Sequence, residues 1–233
     1  MLAIFKREFK SYFTTPIGFV ILAVFTFFEG LFFSAIYNQG APEVQSIIGA
    51  MSTIAIFATP FMTMRLFSED RRQKVDQALL TAPVKVSGIV LGKFLAALAL
   101  FALGFALTLV FQLIITTYVT VNWLIYLYAL FGILLLGSVM ISIGMYISSL
   151  TESPIISAAL TIGIFMAIMF LGSYASTINI AWLQTATSAI SFIDRFNNFT
   201  TGILDPTDIV YMLSITGLFI FLTVRSVEKR RWA

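Results

Sequence analysis

The chain has 233 residues, of which 59% are hydrophobic and only 11% charged, and its mean hydropathy is +0.98. Soluble globular chains carry about a quarter charged residues, so this composition belongs in lipid. Cys and His are both absent, which excludes thiol chemistry, Cys or His metal sites, imidazole acid–base catalysis and triads built on either residue.

A bilayer core about 30 Å thick takes roughly 20 helical residues to cross. Six apolar runs of about that length or more are expected as spans, at 17–37, 47–67, 88–119, 123–150, 154–178 and 209–225. Ahead of the first, Leu2, Phe5, Phe9, Tyr12 and Phe13 fall at helical spacing with Lys6, Arg7 and Lys10 interleaved, and Pro16 follows. This predicts an amphipathic interfacial helix over residues 1–15. The first apolar run is long and lacks the small-residue ending of a cleavable signal, so it is expected to be retained. Past its middle lies Glu29, an intramembrane carboxylate whose burial costs several kcal/mol unless it is paired, protonated or wet. Three readings stand open for it: a polar wall of a substrate path, a proton-linked carrier site, or a side chain bonded to a neighbouring helix or set near the outer interface.

After the second run, the stretch Ser68 to Pro83 reads as a short charged helix, with Ser68 at the N-cap, Glu69 and Asp70 in the first turn and Pro83 beyond the end. Its Glu69, Asp70, Arg71 and Arg72 have no evident internal partner, Lys74 follows them, and Ala78, Leu79 and Leu80 offer an apolar side. Such a helix presents a charged face to a soluble partner and an apolar face to the bundle; the plainer alternative is a solvated loop that anchors topology. The third run, 88–119, exceeds one crossing and must tilt, kink or project into water. Within it Gln112 is expected to make an interhelical hydrogen bond. Thr120-Val121-Asn122, followed by interfacial Trp123, Tyr126 and Tyr128, predicts a hairpin into the fourth run.

The fourth run carries Gly132, Gly137, Ser138, Ser142, Gly144 and Ser148, small residues that let helices approach closely. Ser153 and Pro154 form an N-cap and first-turn proline that start the fifth run sharply. Between the fifth and sixth runs, residues 179–208 hold Ile190, Ile193, Phe196, Phe199 and Ile203 at helical spacing, which predicts a segment folded against the membrane or the bundle.

Orientation follows from the 14 Lys and Arg residues. Lys6, Arg7 and Lys10 precede the first span; Arg65, Arg71, Arg72, Lys74, Lys85 and Lys93 surround the link between the second and third; Arg225, Lys229, Arg230 and Arg231 close the chain. Only Arg195 stands on the opposite side. Basic residues stay in the cytoplasm, so an even number of spans with both ends inside is expected, and six fits. The motif G-x-x-x-x-G-K-S/T is missing, so any ATP must be handled by a partner.

These residues also resemble a family. Ser68-Glu69-Asp70-Arg71-Arg72, then Leu79-Leu80-Thr81-Ala82-Pro83-Val84, then Ile89-Val90-Leu91-Gly92-Lys93-Phe94 is similar to the acidic-basic, Leu-Leu-Thr-x-Pro, Leu-Gly-Lys pattern of type-2 ABC exporter permeases. Lys6-Arg7-Glu8-Phe9 with Ser11-Tyr12-Phe13 and Pro16-Ile17-Gly18 resembles the amino end of the gliding-motility-type branch. Ser149-Leu150-Thr151-Glu152, the outer residues Phe199, Gly202, Asp205, Asp208-Ile209 and Tyr211, and Arg230-Arg231-Trp232 follow the same branch. Lys74, Val75 and Gln77 depart from the pattern, as does Arg195, where a His is common.

The resemblance implies an all-α membrane protein: a single transmembrane domain over residues 1–233, with six transmembrane helices, the N-terminal amphipathic helix and a cytoplasmic coupling helix over 68–83. It implies a non-enzymatic permease of an ATP-driven exporter in the bacterial inner membrane. Its partners would be cytoplasmic ATPase subunits, which hold the ATP and Mg, together with a second permease copy or related subunit and membrane lipid, but no nucleic acid. Glu69, Asp70, Arg71, Arg72, Lys74, Leu79 and Leu80 would contact the ATPase, with Lys6, Arg7, Phe9 and Lys10 beside them. The apolar spans favour a lipidic or amphipathic substrate. Two other functions fit the residues: a proton-coupled secondary carrier working through Glu29, and a non-transporting membrane anchor of a motility or envelope complex.

Overall fold

The computed structural model describes residues 1–38, 43–73, 85–177 and 191–231, and every element among them is an α-helix. In chain order these are α1 (Leu2–Thr14), α2 (Pro16–Asn38), α3 (Val44–Thr63), α4 (Ser68–Arg72), α5 (Val86–Gly104), α6 (Ala106–Thr116), α7 (Trp123–Leu150), α8 (Pro154–Thr177), α9 (Phe192–Thr200) and α10 (Pro206–Arg231).

Five stretches are long and apolar enough to cross a membrane: Pro16–Asn38, Val44–Arg72, Val86–Thr116, Trp123–Leu150 and Pro206–Lys229. The remaining expected span coincides with α8, whose apolar portion Pro154–Phe170 is shorter than these five. α7 runs unbroken for 28 residues, about 42 Å at 1.5 Å per residue, so it tilts or extends beyond the hydrocarbon. The over-long third run is interrupted at Phe105 (φ −90°, ψ 1°), which divides it into α5 and α6.

Joints between helices follow local chemistry. Thr15 is extended (φ −103°, ψ 153°) because the ring of Pro16 disfavours helical backbone in the residue before it, so α1 ends there and α2 starts afresh. The hairpin before α7 forms as the sequence predicts, with Asn122 Oδ1 accepting the Leu124 amide at 3.1 Å. α8 starts at Pro154. α9 is capped by Ser191 Oγ, which accepts the Asp194 amide at 3.2 Å. It is terminated by Gly202, whose φ of +85° is cheap only for glycine.

α7 is the centre of the bundle and packs against α3, α5, α8, α9 and α10. A Cβ on Gly137 would overlap the Phe101 ring of α5, and one on Gly144 would overlap Thr63 of α3, so these glycines set the interhelical distance. Ser138 Oγ meets Thr216 Oγ1 of α10 at 3.1 Å. The small-residue stripe is therefore a packing surface. α2 lies along α5 and α6 through Phe25–Phe105 (5.4 Å between ring centres) and the stacked pair Phe33–Phe111 (4.3 Å).

Candidate functional site

Of the stretch predicted as a charged helix over 68–83, Ser68–Arg72 forms α4 with Gln73 as its C-cap, and residues 74–83, Lys74, Leu79 and Leu80 among them, lie outside the described residues. Its start differs from the sequence reading. Ser68 does not cap the helix, because its hydroxyl turns back to the Met64 carbonyl. The cap comes from another helix: Ser148 Oγ of α7 accepts the Phe67 and Ser68 amides at 3.2 and 3.1 Å and donates to the Met64 carbonyl at 3.1 Å. One hydroxyl thus satisfies groups that helix ends otherwise leave orphaned.

The expectation that the α4 charges lack internal partners is corrected. Glu69 forms a forked ion pair with Arg65, one arm at 2.6 Å, and accepts from Gln73 at 3.1 Å. Asp70 Oδ2 lies 2.8 Å from Lys93 Nζ of α5. Arg71 pairs with Glu152, just before α8, at 2.6 Å and donates to the Leu150 carbonyl at 3.3 Å. Arg72 is exposed and pairs with nothing among the described residues. α4 is thereby fastened to α3, α5 and the α7–α8 corner, and it leaves Arg72 and Gln73 facing solvent.

α1 sits beside this helix. Phe5, Phe9 and Phe13 form a continuous ring contact, with centres 5.7 and 5.2 Å apart, and face the core, while Lys6, Arg7 and Lys10 are exposed. Tyr12 is buried and donates to the Met62 carbonyl at 3.0 Å. Burial, and secondarily the Glu8 charge, push its hydroxyl above the ordinary tyrosine range. A cleft of about 360 Å³ between α1 and the α3–α4 junction is walled by Arg7, Glu8, Tyr12, Arg65, Glu69 and Asp70. Its acids and bases are paired with one another or with Lys93.

The intramembrane polar residues form a separate, buried set. Glu29 is fully buried and neither carboxylate oxygen has a hydrogen-bond partner among the described residues. Gln112 is equally buried, and its Oε1 has no partner among the described residues. The interhelical bond in this region joins Thr108 Oγ1 of α6 to the Tyr126 hydroxyl of α7 at 3.0 Å. At the opposite end of the bundle, buried Asp208 takes Arg195 Nη1 at 2.8 Å and Asn198 Nδ2 at 2.7 Å, and the Arg195 guanidinium lies 4.1 Å from the Tyr211 ring centre. Phe192, Phe196 and Phe199 are the buried face of α9; of the residues the 179–208 periodicity picked out, Phe196 and Phe199 are buried, Ile193 is half-buried, Ile203 is exposed, and Ile190 lies outside the described residues.

Two residues of the charged end were not singled out as site residues from sequence. Lys93 read as one more topological charge, and Ser148 as one more small packing residue; their partners lie too far along the chain for any local pattern to reveal them.

No curated protein matches the chain. The profile of the family described as ABC-2 type transporter matches residues 1–204, which contain α1 through α9. Together with its apolar helices this makes the chain a multi-pass membrane protein that forms the permease part of an ABC transporter and works with ABC ATPase subunits. The chain belongs to the ABC-2 type transporter family.

Proposed function

We propose that the chain is the permease of an ATP-driven exporter of the gliding-motility-type branch, in which a cytoplasmic ATPase docks on α4 and on the exposed basic side of α1. The membrane is crossed six times, with α8 as the fifth crossing and both termini inside. A second permease copy or a related subunit completes the transporter, and the substrate is lipidic or amphipathic. The observation that carries this reading is the mounting of α4: a five-residue charged helix braced by Ser148, Lys93 and Glu152, with Arg72 and Gln73 left exposed. A helix held on three sides moves with the bundle when pushed, which is what a nucleotide-driven partner requires.

Because Glu69, Asp70 and Arg71 have internal partners, reversing them would disturb the fold as well as the interface. Arg72→Glu avoids this, since an exposed unpaired charge contributes little to folding. The variant inserts and unfolds like the parent but retains its ATPase several-fold less well on co-purification, with the difference shrinking at high salt. An Arg72→Glu chain that binds its ATPase and transports normally at physiological salt removes α4 as the docking element. A proton-coupled carrier working through Glu29 predicts instead that transport proceeds with no ATPase present.

A further inference from the structure

We propose that Lys93 ties α1, α4 and α5 into one rigid unit and is the positioning residue through which displacement of α4 reaches the N-terminal helix and the third span together. The consequence for transport rests on the docking reading above; the tie itself does not.

Lys93 is 1% exposed. Lysines are almost never buried so completely unless paired, because a desolvated ammonium is costly. Here the pairing is divided between two helices. Nζ lies 2.8 Å from Asp70 Oδ2 on α4 and 3.2 Å from Glu8 Oε1 on α1, and it stands 5.3 Å from the centre of the Phe67 ring. Glu8 Oε1 is held from its other side by Arg7 Nη2 at 2.5 Å. Arg7, Glu8, Lys93 and Asp70 thus form an alternating row with no net charge, so it has no need of an external counter-ion.

The residue before Lys93 makes the geometry possible. A Cβ on Gly92 would come within 3.0 Å of Ile4 Cγ2 and 3.1 Å of the Met1 carbonyl oxygen, so α1 rests directly on the α5 backbone. With α1 seated there, Glu8 comes over Lys93, and α4 closes the other side through Asp70. Moving α4 away from α5 by a few ångströms would strand the Lys93 ammonium and a carboxylate in a largely dehydrated place. Moving α1 away would do the same through Glu8. The three helices therefore shift together or not at all.

The chain has no cysteine, so Lys10→Cys with Arg72→Cys, both at exposed positions of α1 and α4, places two spin labels uniquely on the full-length chain in lipid vesicles. The expected distance distribution between them is single and narrow. In Lys93→Met it broadens, and in Lys93→Arg it stays narrow. Adding Glu8→Gln and Asp70→Asn to Lys93→Met removes the stranded charges without restoring the tie, so the triple variant folds normally yet keeps the broad distribution. An unchanged narrow distribution in both Lys93→Met and the triple variant overturns the proposal. A second readout uses the native sequence at positions 10 and 72 with its ATPase bound: Lys93→Met retains the ATPase and its hydrolysis but loses transport per ATP, whereas Lys93→Arg keeps it. If the unmodified chain recovers no ATPase, the docking reading fails, and the label distances still decide the tie.

Discussion

Tyr12 of α1 donates its hydroxyl proton to the carbonyl of Met62 near the end of α3 at 3.0 Å, so a buried side chain of the N-terminal helix closes an orphan acceptor at a helix C-terminus. Tyr12→Phe keeps the ring and deletes the bond. The expected loss is about 1 kcal/mol, or a little more because Met62 O is left unpaired, read as a lower unfolding temperature of the purified chain. Burial raises the Tyr12 hydroxyl above its ordinary value of 10. A raised acid favours folding while protonated, so its contribution is complete below about pH 10 and is lost as the pH climbs above it. Tyr12→Phe therefore loses less stability than the parent between neutral and strongly alkaline pH. Parallel pH profiles for the two proteins would show that this hydroxyl is not the titrating group.

Ser148→Ala removes the oxygen that accepts the Phe67 and Ser68 amides. Loss of a cap costs about 1 to 2 kcal/mol. Because the cap is tertiary, the effect should concentrate on α4: hydrogen exchange accelerates at the amides of residues 67 to 72, while α7 itself, a 28-residue helix with its own backbone ladder, is unchanged. Uniform acceleration throughout the chain would mean that Ser148 stabilises the bundle rather than α4.

These residues show what was legible beforehand. Apolar run length located the five described helices long and apolar enough to cross a membrane, because run length is a one-dimensional consequence of a slab of lipid. Asn122 announced its hairpin and Pro16 its joint, because capping and proline sterics act within a few residues. The break at Phe105 was foreshadowed only by the excess length of its run, since Leu103-Gly104-Phe105-Ala106 contains no obligatory breaker. Asp70–Lys93, Arg71–Glu152 and the Ser148 cap were invisible because each joins distant positions through the packing of α4, and a charged residue's own neighbours in sequence do not say which distant charge it will meet.

Orientation is open to a labelling test that also decides the role of α8. Single cysteines replacing exposed Arg72 and Asn197 are unique in this chain. With three crossings between them, Arg72→Cys reacts with an impermeant maleimide only after the membrane is opened, and Asn197→Cys reacts in intact cells. Thirteen basic residues gathered on one side of the six-span reading, against Arg195 alone on the other, underlie this expectation. Should both cysteines face the same side, α8 does not cross and the chain has five spans.

Asp208 is buried and accepts from both Arg195 and Asn198, holding α9 against α10. Asp208→Ala deletes one ion pair and one charge-assisted hydrogen bond, each worth about 1.5 to 3 kcal/mol where water is excluded, and Arg195 at 27% exposure recovers part of this by turning to solvent. The expected net loss is about 2 kcal/mol, confined to α9 and its junction with α10: limited proteolysis of the purified chain then cuts between residues 191 and 208 faster than in the parent. Asp208→Asn keeps the shape and one of the two acceptor oxygens and should fall between the two.

Glu29 supplies the last prediction. It is completely buried in α2 with both oxygens unpartnered, and Gln112 Oε1 is likewise unpartnered among the described residues. The placement of α2 against α6 is fixed without it, by the Phe25–Phe105 and Phe33–Phe111 ring contacts one helical turn to either side. An ionised carboxylate in such surroundings costs several kcal/mol, whereas an amide of the same shape carries no charge to desolvate and adds two N–H donors. Glu29→Gln should therefore insert normally and unfold at an equal or higher temperature than the parent. A structural role further predicts unchanged transport and unchanged dependence on external pH. If Glu29→Gln is as stable as the parent but transport stops or loses its pH dependence, the carboxylate takes part in moving the substrate or a proton. If the variant is markedly destabilised instead, the carboxyl group itself contributes to holding the bundle together.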